Sequence, residues 1–499
     1  LSVAIFKKIN PALNQYHKTN GAQAPKIKSD AIIQELLTGS LQTQFQTVQS
    51  QNPLSEIAYL SKVTYSGLNG VTPENASVDL RTVNDSFYGI IDPIDTPDSK
   101  AVGVTRHLAV SADIEKMNGK MKINSTNDDL NPLSIISNFS PFPVHNDGNR
   151  LQFASSQMKS VISMKSAEMP YVSSSYATVP INLASNAFVK KSEYTGEVVD
   201  VNDNYIIIKN KGKSKLIYFD KYSFNTSNTL STLTPIVKIG DEITEGQPIA
   251  AAQEFFELNN LKLGLNGYTV IKPHRNMNFE DGIIISNSFA HRNTSVHGYE
   301  FTAMIEEGDT IYDLKKIGDV VAKGDVLLSR SSTVALNESL NEFDAVSVLM
   351  ESESDSSDGF DSQIDFGDSD NSGDSDEGDE YEDEFNSAFD KRIKSKASGE
   401  IVDIEIFAKS EEHLKKYNEL YEMHRNKIIR LEEKYKALGD QKIDLSELQN
   451  KISIAKDIYG KKYRGNSIEN ILIIFKIKAE KALDVGDKLH NRHGKRVAA

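Results

Sequence analysis

Ile471-Leu472-Ile473-Ile474-Phe475-Lys476-Ile477, followed shortly by Gly486-Asp487-Lys488-Leu489-His490-Asn491-Arg492-His493-Gly494-Lys495-Arg496, is the passage on which the fold turns. The first run is β-branched and aromatic, the composition of a strand. The second is a glycine-punctuated basic loop at the mouth of that strand. Two lysines and two arginines fall within the nine residues from Lys488 to Arg496, a cation density suited to phosphate.

The β signal recurs upstream. From about 177 to 251, and again from 267 to 336, short alternating strands such as Tyr205-Ile206-Ile207-Ile208-Lys209 and Leu216-Ile217-Tyr218-Phe219 are separated by Gly, Asp and Asn turns. Gly196-Glu197-Val198-Val199-Asp200-Val201 and Gly399-Glu400-Ile401-Val402-Asp403-Ile404 are near copies. Val237-Lys238-Ile239-Gly240-Asp241-Glu242 and Ile317-Gly318-Asp319-Val320 repeat a Gly-Asp phrase that predicts a tight turn in compact sandwich or barrel modules. The first 120 residues read as mixed structure and residues 121 to 170 as loop and helix. Between 410 and 460 the period changes: Tyr417, Tyr421, His424, Ile428, Leu431, Tyr435 and Leu438, then Leu445, Leu448, Ile452, Ala455 and Tyr459, step by fours and threes across Gly439-Asp440. This predicts an antiparallel helical hairpin, an interaction arm with His424 packed in its seam.

The chain of 499 residues, with length for about three domains, contains no Cys and no Trp. Absent Cys excludes disulfides and thiolate zinc, and fits a reducing cytoplasm. No apolar run approaches the roughly 18 residues that cross a bilayer, and the start at Leu1 reads as a trimmed or internal beginning. The formal charge of −15 conceals an uneven distribution: Glu351 to Glu384 holds 16 Asp or Glu and no Lys or Arg, and removing those 16 negative charges leaves +1. This Ser/Asp/Gly/Glu tract reads as disordered. Its Asp365-Phe366-Gly367-Asp368-Ser369-Asp370 imitates a carboxylate triad but lacks the rigidity a Mg²⁺ site needs.

Four stretches occur in order: Asn52-Pro53-Leu54-Ser55-Glu56-Ile57 with Asp79-Leu80-Arg81-Thr82-Val83-Asn84 and Asp92-Pro93-Ile94-Asp95-Thr96-Pro97-Asp98; His145-Asn146-Asp147-Gly148-Asn149-Arg150 with Gln157-Met158-Lys159; Leu261-Lys262-Leu263-Gly264-Leu265-Asn266-Gly267 with Asn278-Phe279-Glu280-Asp281-Gly282-Ile283-Ile284-Ile285-Ser286; and the terminal loop. Together they resemble the β subunit of multisubunit DNA-directed RNA polymerases, from the fork region to the active-site lysine loop, in a split, divergent form similar to that of giant bacteriophages. The chain departs from the pattern at Ser99 and Ala101, and its loop has one residue fewer between Lys488 and Lys495. Tyr59, Lys62 and Thr64 replace the His, Arg and Ser usual in the rifamycin pocket, which implies insensitivity to rifamycins.

The resemblance implies an α+β, multidomain, β-rich fold. Its parts would be a fork and lobe-side region over 1–120, a triphosphate-side segment over 121–176, a wall or flap β-module over 177–260, and a barrel and hybrid-binding β region over 261–345. An acidic insertion over 346–390, a return strand over 391–409, the hairpin over 410–462, and the barrel strand with its lysine loop over 463–499 complete it. A double-psi β-barrel portion, sandwich-hybrid modules and a helical fork region are expected. The implied function is to position the NTP triphosphate, the RNA 3′ end and the RNA–DNA hybrid for nucleotidyl transfer. Two Mg²⁺ ions would be held mainly by a partner β′ subunit and the NTP, with no zinc here. The implied partners are β′-type subunits, separate chains completing β, DNA, RNA and a promoter-specificity factor, in the cytoplasm of a bacterial host and without a membrane.

Residue by residue, Lys488 would stand beside the RNA 3′-terminal or α-phosphate, and Lys495 and Arg492 along the RNA backbone, with His493 bracing the loop. Glu280 and Asp281, ahead of an Ile-rich strand, would reach the second Mg²⁺ through water. Arg150 would hold the triphosphate by its planar fork, and Lys159 the hybrid backbone. Arg81, Asp95 and Asp98 would shape the downstream fork. Two other functions fit parts of the chain: a non-catalytic scaffold, and a biotinyl- or lipoyl-type carrier. The carrier lysine that fits best, in Met164-Lys165, lies well before the first β repeat and in a helix-like context.

Overall fold

The structure, a computed structural model, describes residues 2–21, 48–67, 70–115, 120–123, 130–276, 279–332, 390–439, 443–463 and 466–499. The acidic tract Glu351–Glu384 lies outside them.

The apolar run that opened the reading is the centre of an antiparallel sheet. Ile471–Lys481 pairs along its whole length with Ser295–Ile305 on one side and, from Ile471 to Lys478, with Gly399–Ala408 on the other, and Val320–Val321 closes the order. Residues 471 to 475 are all buried, so both faces of this strand are covered and its pattern is continuous rather than alternating. Ile473, Phe475 and Ile477 pack with Ile404, Leu327 and Leu414 in one core. A second core lies under the sheets built from Val189–Lys191 to Pro248–Ala252.

The near copies in the sequence are copies in structure. Gly196–Asn202 and Gly399–Ala408 both begin where a Cβ would strike a neighbouring carbonyl, that of Lys209 or Lys478. Each shifts register at the same point of the phrase, between Val198 and Asp200 or between Ile401 and Asp403. Both accept an edge strand that follows a Gly-Asp turn: Glu242–Ile243 in one, Val320–Val321 in the other.

The turn itself has a simple cause. Gly240, Gly318, Gly324 and Gly486 have φ of 93°, 95°, 99° and 90°, a region other residues rarely adopt. The following Asp turns back to accept the N–H three residues earlier, at 2.8 Å for Lys238, Lys316 and Ala322 and 2.9 Å for Asp484. The next residue then starts a strand: Glu242, Val320, Val326 or Lys488. At each of these turns the same device sets the first residue of a strand, and at the last of them that residue is Lys488.

The helical hairpin is present as Asn418–Gly439 and Ser446–Lys456. Its seam meets the chain's own sheets. Leu438, Leu445, Leu448 and Ile452 pack on Ile207 and Leu216, while Leu420 joins the other core. Ile443–Asp444, in the connection between the helices, runs parallel to Ser214–Lys215. The hairpin therefore ties two β regions together through its seam. His424 sits half-buried in the helix, and burial lowers its pKa.

Two β expectations need correction. Residues 175–183 form helical turns, and strands begin at Val189. Among the described residues of 267–294 there is no strand. Tyr268, Val270 and Ile271 are 109 %, 77 % and 98 % exposed, and the chain becomes a strand only at Ser295. The Ile-rich run after Asp281 makes one bridge, Gly282 to Ala498, and then leads into the helix Asn287–Arg292. Strand-like composition finds no ladder partner there.

Candidate functional site

The site is assembled around the helix Gly148–Met158. Asn52, fully buried, holds its far end. The Asn52 side-chain oxygen accepts the Ser55 N–H, capping the helix Pro53–Ser61, while its amide donates to the carbonyls of Met158, Lys159 and Val161 at 3.1, 3.0 and 2.8 Å. A single side chain satisfies two helix ends. The Asn-Pro-Leu-Ser phrase is therefore structural, and its job is to place the helix.

The Asp92–Asp98 phrase is fastened to the same helix. Asp92 accepts from Ser134 N and Ser137 Oγ, and Ser137 Oγ lies 3.1 Å from Ser155 Oγ in the helix. Gln152 donates to the carbonyls of Thr96 and Pro97. Asp95 is fully buried and accepts from Lys159 Nζ at 2.5 Å and from Ser134 Oγ at 2.9 Å, with His107 Nδ1 at 3.3 Å. Burial opposes its ionisation, but the His107 hydrogen bond and the Lys159 charge outweigh burial and hold its pKa well below the usual carboxylate range.

The near end of the helix meets the terminal loop. Asp147 caps it through Asn149 N–H. Gly494, at φ 79°, is buried directly beneath Arg150: a Cβ there would overlap the Arg150 carbonyl oxygen and approach Ala154 N to 3.1 Å. Arg150 Nη1 donates to the Gly494 carbonyl at 3.5 Å, and its guanidinium lies over the Phe153 ring. His493 Nδ1 is 2.9 Å from Asn146 Oδ1, and Ser140 Oγ donates to the Arg492 carbonyl at 2.5 Å. The brace expected of His493 is present.

The loop is a hairpin, Lys488–His490 against Arg496–Ala498, in which Lys488 faces Ala498. Ala498 in turn bridges Gly282: its N–H donates to the Asp281 carbonyl at 3.1 Å, and its carbonyl accepts from Ile283 N–H at 2.9 Å. Two strand spacings put the Lys488 backbone about 10 Å from Gly282. Glu280 and Asp281 are exposed on this turn, Glu280 at φ 46°. Residues from three distant stretches thus meet at one hairpin. A cleft of about 930 Å³ opens beside it, lined by the polar Lys488, Arg496 and Asp98 and by the apolar Phe139, Phe153 and Leu489. Arg150, Glu280, Asp281 and Lys495 do not line it.

The cations divide by what they touch. Lys488, Lys495 and Arg496 are exposed and form no ion pair among the described residues. Arg492 is spent internally, donating to the carbonyls of Phe139 at 3.4 Å and Val172 at 2.5 Å, and burial lowers its pKa. The Lys159 charge belongs to Asp95. Arg81 donates to the carbonyls of Pro73, Ala76, Lys100 and Val102 and is a knot within its loop. Arg81, Lys159 and buried Asp95 brace the structure, and Arg492 does so while also lining the cleft. Glu168, which the sequence did not signal, accepts from Asn266 N–H and from Arg292, and these bonds hold its pKa down against partial burial.

No group of three or more His, Asp or Glu among the described residues could hold a metal. Glu280 and Asp281 alone, on an exposed turn, do not make a coordination sphere, so the residues here do not fit a resident ion. No helix among the described residues is long and apolar enough to cross a membrane.

Comparison with known proteins agrees with this geometry. Residues 46–114 match the family model for RNA polymerase Rpb2, domain 3, and residues 136–497 match that for RNA polymerase Rpb2, domain 6. The chain is similar to the DNA-directed RNA polymerase subunit beta of Anaplasma phagocytophilum, 25% identical over 57% of this chain and 25% of that protein. It is 26% identical to the same subunit of Carsonella ruddii over 62% of this chain and 30% of the relative. For Fusobacterium nucleatum the figures are 26%, 58% and 29%. The chain thus spans between a quarter and three tenths of the length of these curated relatives. The terminal hairpin as far as Val497, the Arg150 helix and the Gly282 turn fall inside the longer match, and the chain belongs to the RNA polymerase Rpb2 domain 6 family.

Proposed function

We propose that this chain is the part of an RNA polymerase β subunit that presents positive charge to the growing RNA end and to the incoming NTP. In this reading the strands around Ile471–Lys481 contribute to a double-psi β-barrel, and the repeated Gly-Asp modules are the sandwich-hybrid elements. The observation that carries it is the terminal hairpin, laced on one side to the Arg150 helix and on the other to the Glu280–Asp281 turn. Lys488 and Lys495, unpaired and set on a hairpin with short connections, offset negative charge that builds on the phosphates during transfer. Arg150 supplies a planar donor fork for the triphosphate. Glu280 and Asp281 act on the periphery, orienting water or a cation borne by the nucleotide. The buried Asp95–Lys159 pair and the carbonyl-bound Arg492 hold the frame still.

The catalytic magnesium chemistry belongs to the assembled enzyme, on a β′-type partner and the NTP. DNA template and RNA transcript are its remaining partners. Lys488→Ala in a reconstituted transcription assay is the test. Loss of one such contact lowers the elongation rate by about 10²–10³, or roughly 2–4 kcal/mol in barrier. Unchanged elongation would leave the chain a scaffold.

A further inference from the structure

The turn between Lys488 and Lys495 has little regular structure: the strand Lys488–His490 ends, and Arg496–Ala498 begins only after five intervening residues. From within the turn, one side chain organises those five. Asn491 Oδ1 accepts the backbone N–H of His493 at 3.0 Å and that of Lys495 at 3.0 Å. The Asn491 backbone closes the same ring, donating N–H to the Lys495 carbonyl at 3.0 Å and accepting Gly494 N–H at 3.3 Å. With His490 Nδ1 at 3.2 Å from the Asn491 carbonyl, five hydrogen bonds converge on a residue that is exposed. Of the three turn residues it bonds, His493 locks to Asn146 and Gly494 sits beneath Arg150.

We propose that Asn491 is a positioning residue whose side-chain oxygen sets the turn that carries Lys495 and seats Gly494 under Arg150, so that both lysines are presented together to phosphate. The inference rests on the function proposed above, and its test separates the two. The oxygen, rather than the residue's size or its own backbone bonds, is what matters. Asn491→Ala keeps the backbone ring but removes the acceptor from two N–H groups. Asn491→Asp keeps an acceptor of the same shape.

Amide hydrogen exchange on the full chain and elongation by the assembled enzyme are measured for both variants. Asn491→Ala speeds exchange at His493 and Lys495 at least about tenfold, as expected when each loses its bond. It lowers kcat about tenfold, with the KM for NTP within about threefold, because the loss is one of alignment. Asn491→Asp restores slow exchange and recovers at least about a third of kcat. Unchanged exchange in Asn491→Ala, or failure of Asn491→Asp to restore it, overturns the role of Asn491 whatever the chain does. Fast exchange in Asn491→Ala with unaltered kcat leaves Asn491 as the organiser of the turn and instead removes the catalytic reading of the loop.

Discussion

Gly494→Ala separates the contact at Arg150 from every other property of the terminal loop. A methyl group at position 494 meets two independent obstacles. The φ of 79° lies in the left-handed region, where an L-residue costs about 1–2 kcal/mol. The new Cβ also overlaps the Arg150 carbonyl and presses on Ala154 N, both backbone atoms of a helix that cannot give way as a side chain would. Overpacking of this kind costs roughly 1–3 kcal/mol more. The combined burden of about 2–5 kcal/mol exceeds what a short exposed hairpin gains from that contact, so the loop moves off the helix. A displacement near 1 Å at a catalytic group costs on the order of 10² in rate. The control is Gly240→Ala, at φ 93° with nothing within 4 Å of the added Cβ and in the Gly-Asp turn of another module. It carries only the backbone penalty. Single-nucleotide addition by the assembled enzyme is the assay: Gly494→Ala falls about 100-fold and Gly240→Ala stays within about threefold of wild type. A Gly494→Ala enzyme as fast as the control would refute the claim that contact with Arg150 sets the loop.

Asp95→Asn leaves Lys159 and His107 facing a neutral amide in a buried site, and breaking such a pair costs about 3–5 kcal/mol in stability. Because the folded-state pKa of Asp95 is depressed, the carboxylate stabilises the fold above the unfolded value near ~3.9 and loses that effect as pH falls below it. The Tm difference between wild type and Asp95→Asn is therefore flat from neutral pH to about pH 5 and shrinks only in stronger acid; a difference that closes between pH 6 and 8 would contradict the assignment. Phe475→Ala, at the centre of a strand paired on both sides and fully buried, costs about 3–5 kcal/mol and is read from denaturant midpoints. The assembled enzyme resists rifampicin, since Tyr59, Lys62 and Thr64 replace the usual pocket groups and Lys62 Nζ lies over the Tyr59 ring at 5.6 Å; inhibition at low concentration would remove that correspondence.

What the sequence disclosed divides along physical lines. The Gly-Asp turns were legible because their causes are local: a glycine that takes positive φ and an aspartate that bonds three residues back. The heptads announced two helices for the same reason, but they could not say that Leu448 and Ile452 close over Ile207 and Leu216. Tyr268 to Ile271 misled because aromatic and β-branched residues signal a strand only where another strand is available. Arg492 and Lys159 were read as phosphate contacts since a cation's commitment is decided at long range. The carbonyl that Arg492 occupies, that of Phe139, lies 353 residues away in sequence. Asn491 carried no signal apart from its nearness to Gly494, and Glu168 carried none.

The account depends on Lys488 and Lys495 standing at the tip of the transcript. An RNA whose 3′-terminal ribose is oxidised to a dialdehyde, bound in the assembled enzyme and fixed by borohydride, reports the nearest amine directly. The label is predicted on Lys488 or Lys495, and it disappears when both are replaced by Arg while RNA binding persists. Labelling confined to the helical hairpin or to another subunit, with both loop lysines unmodified, would contradict the central claim.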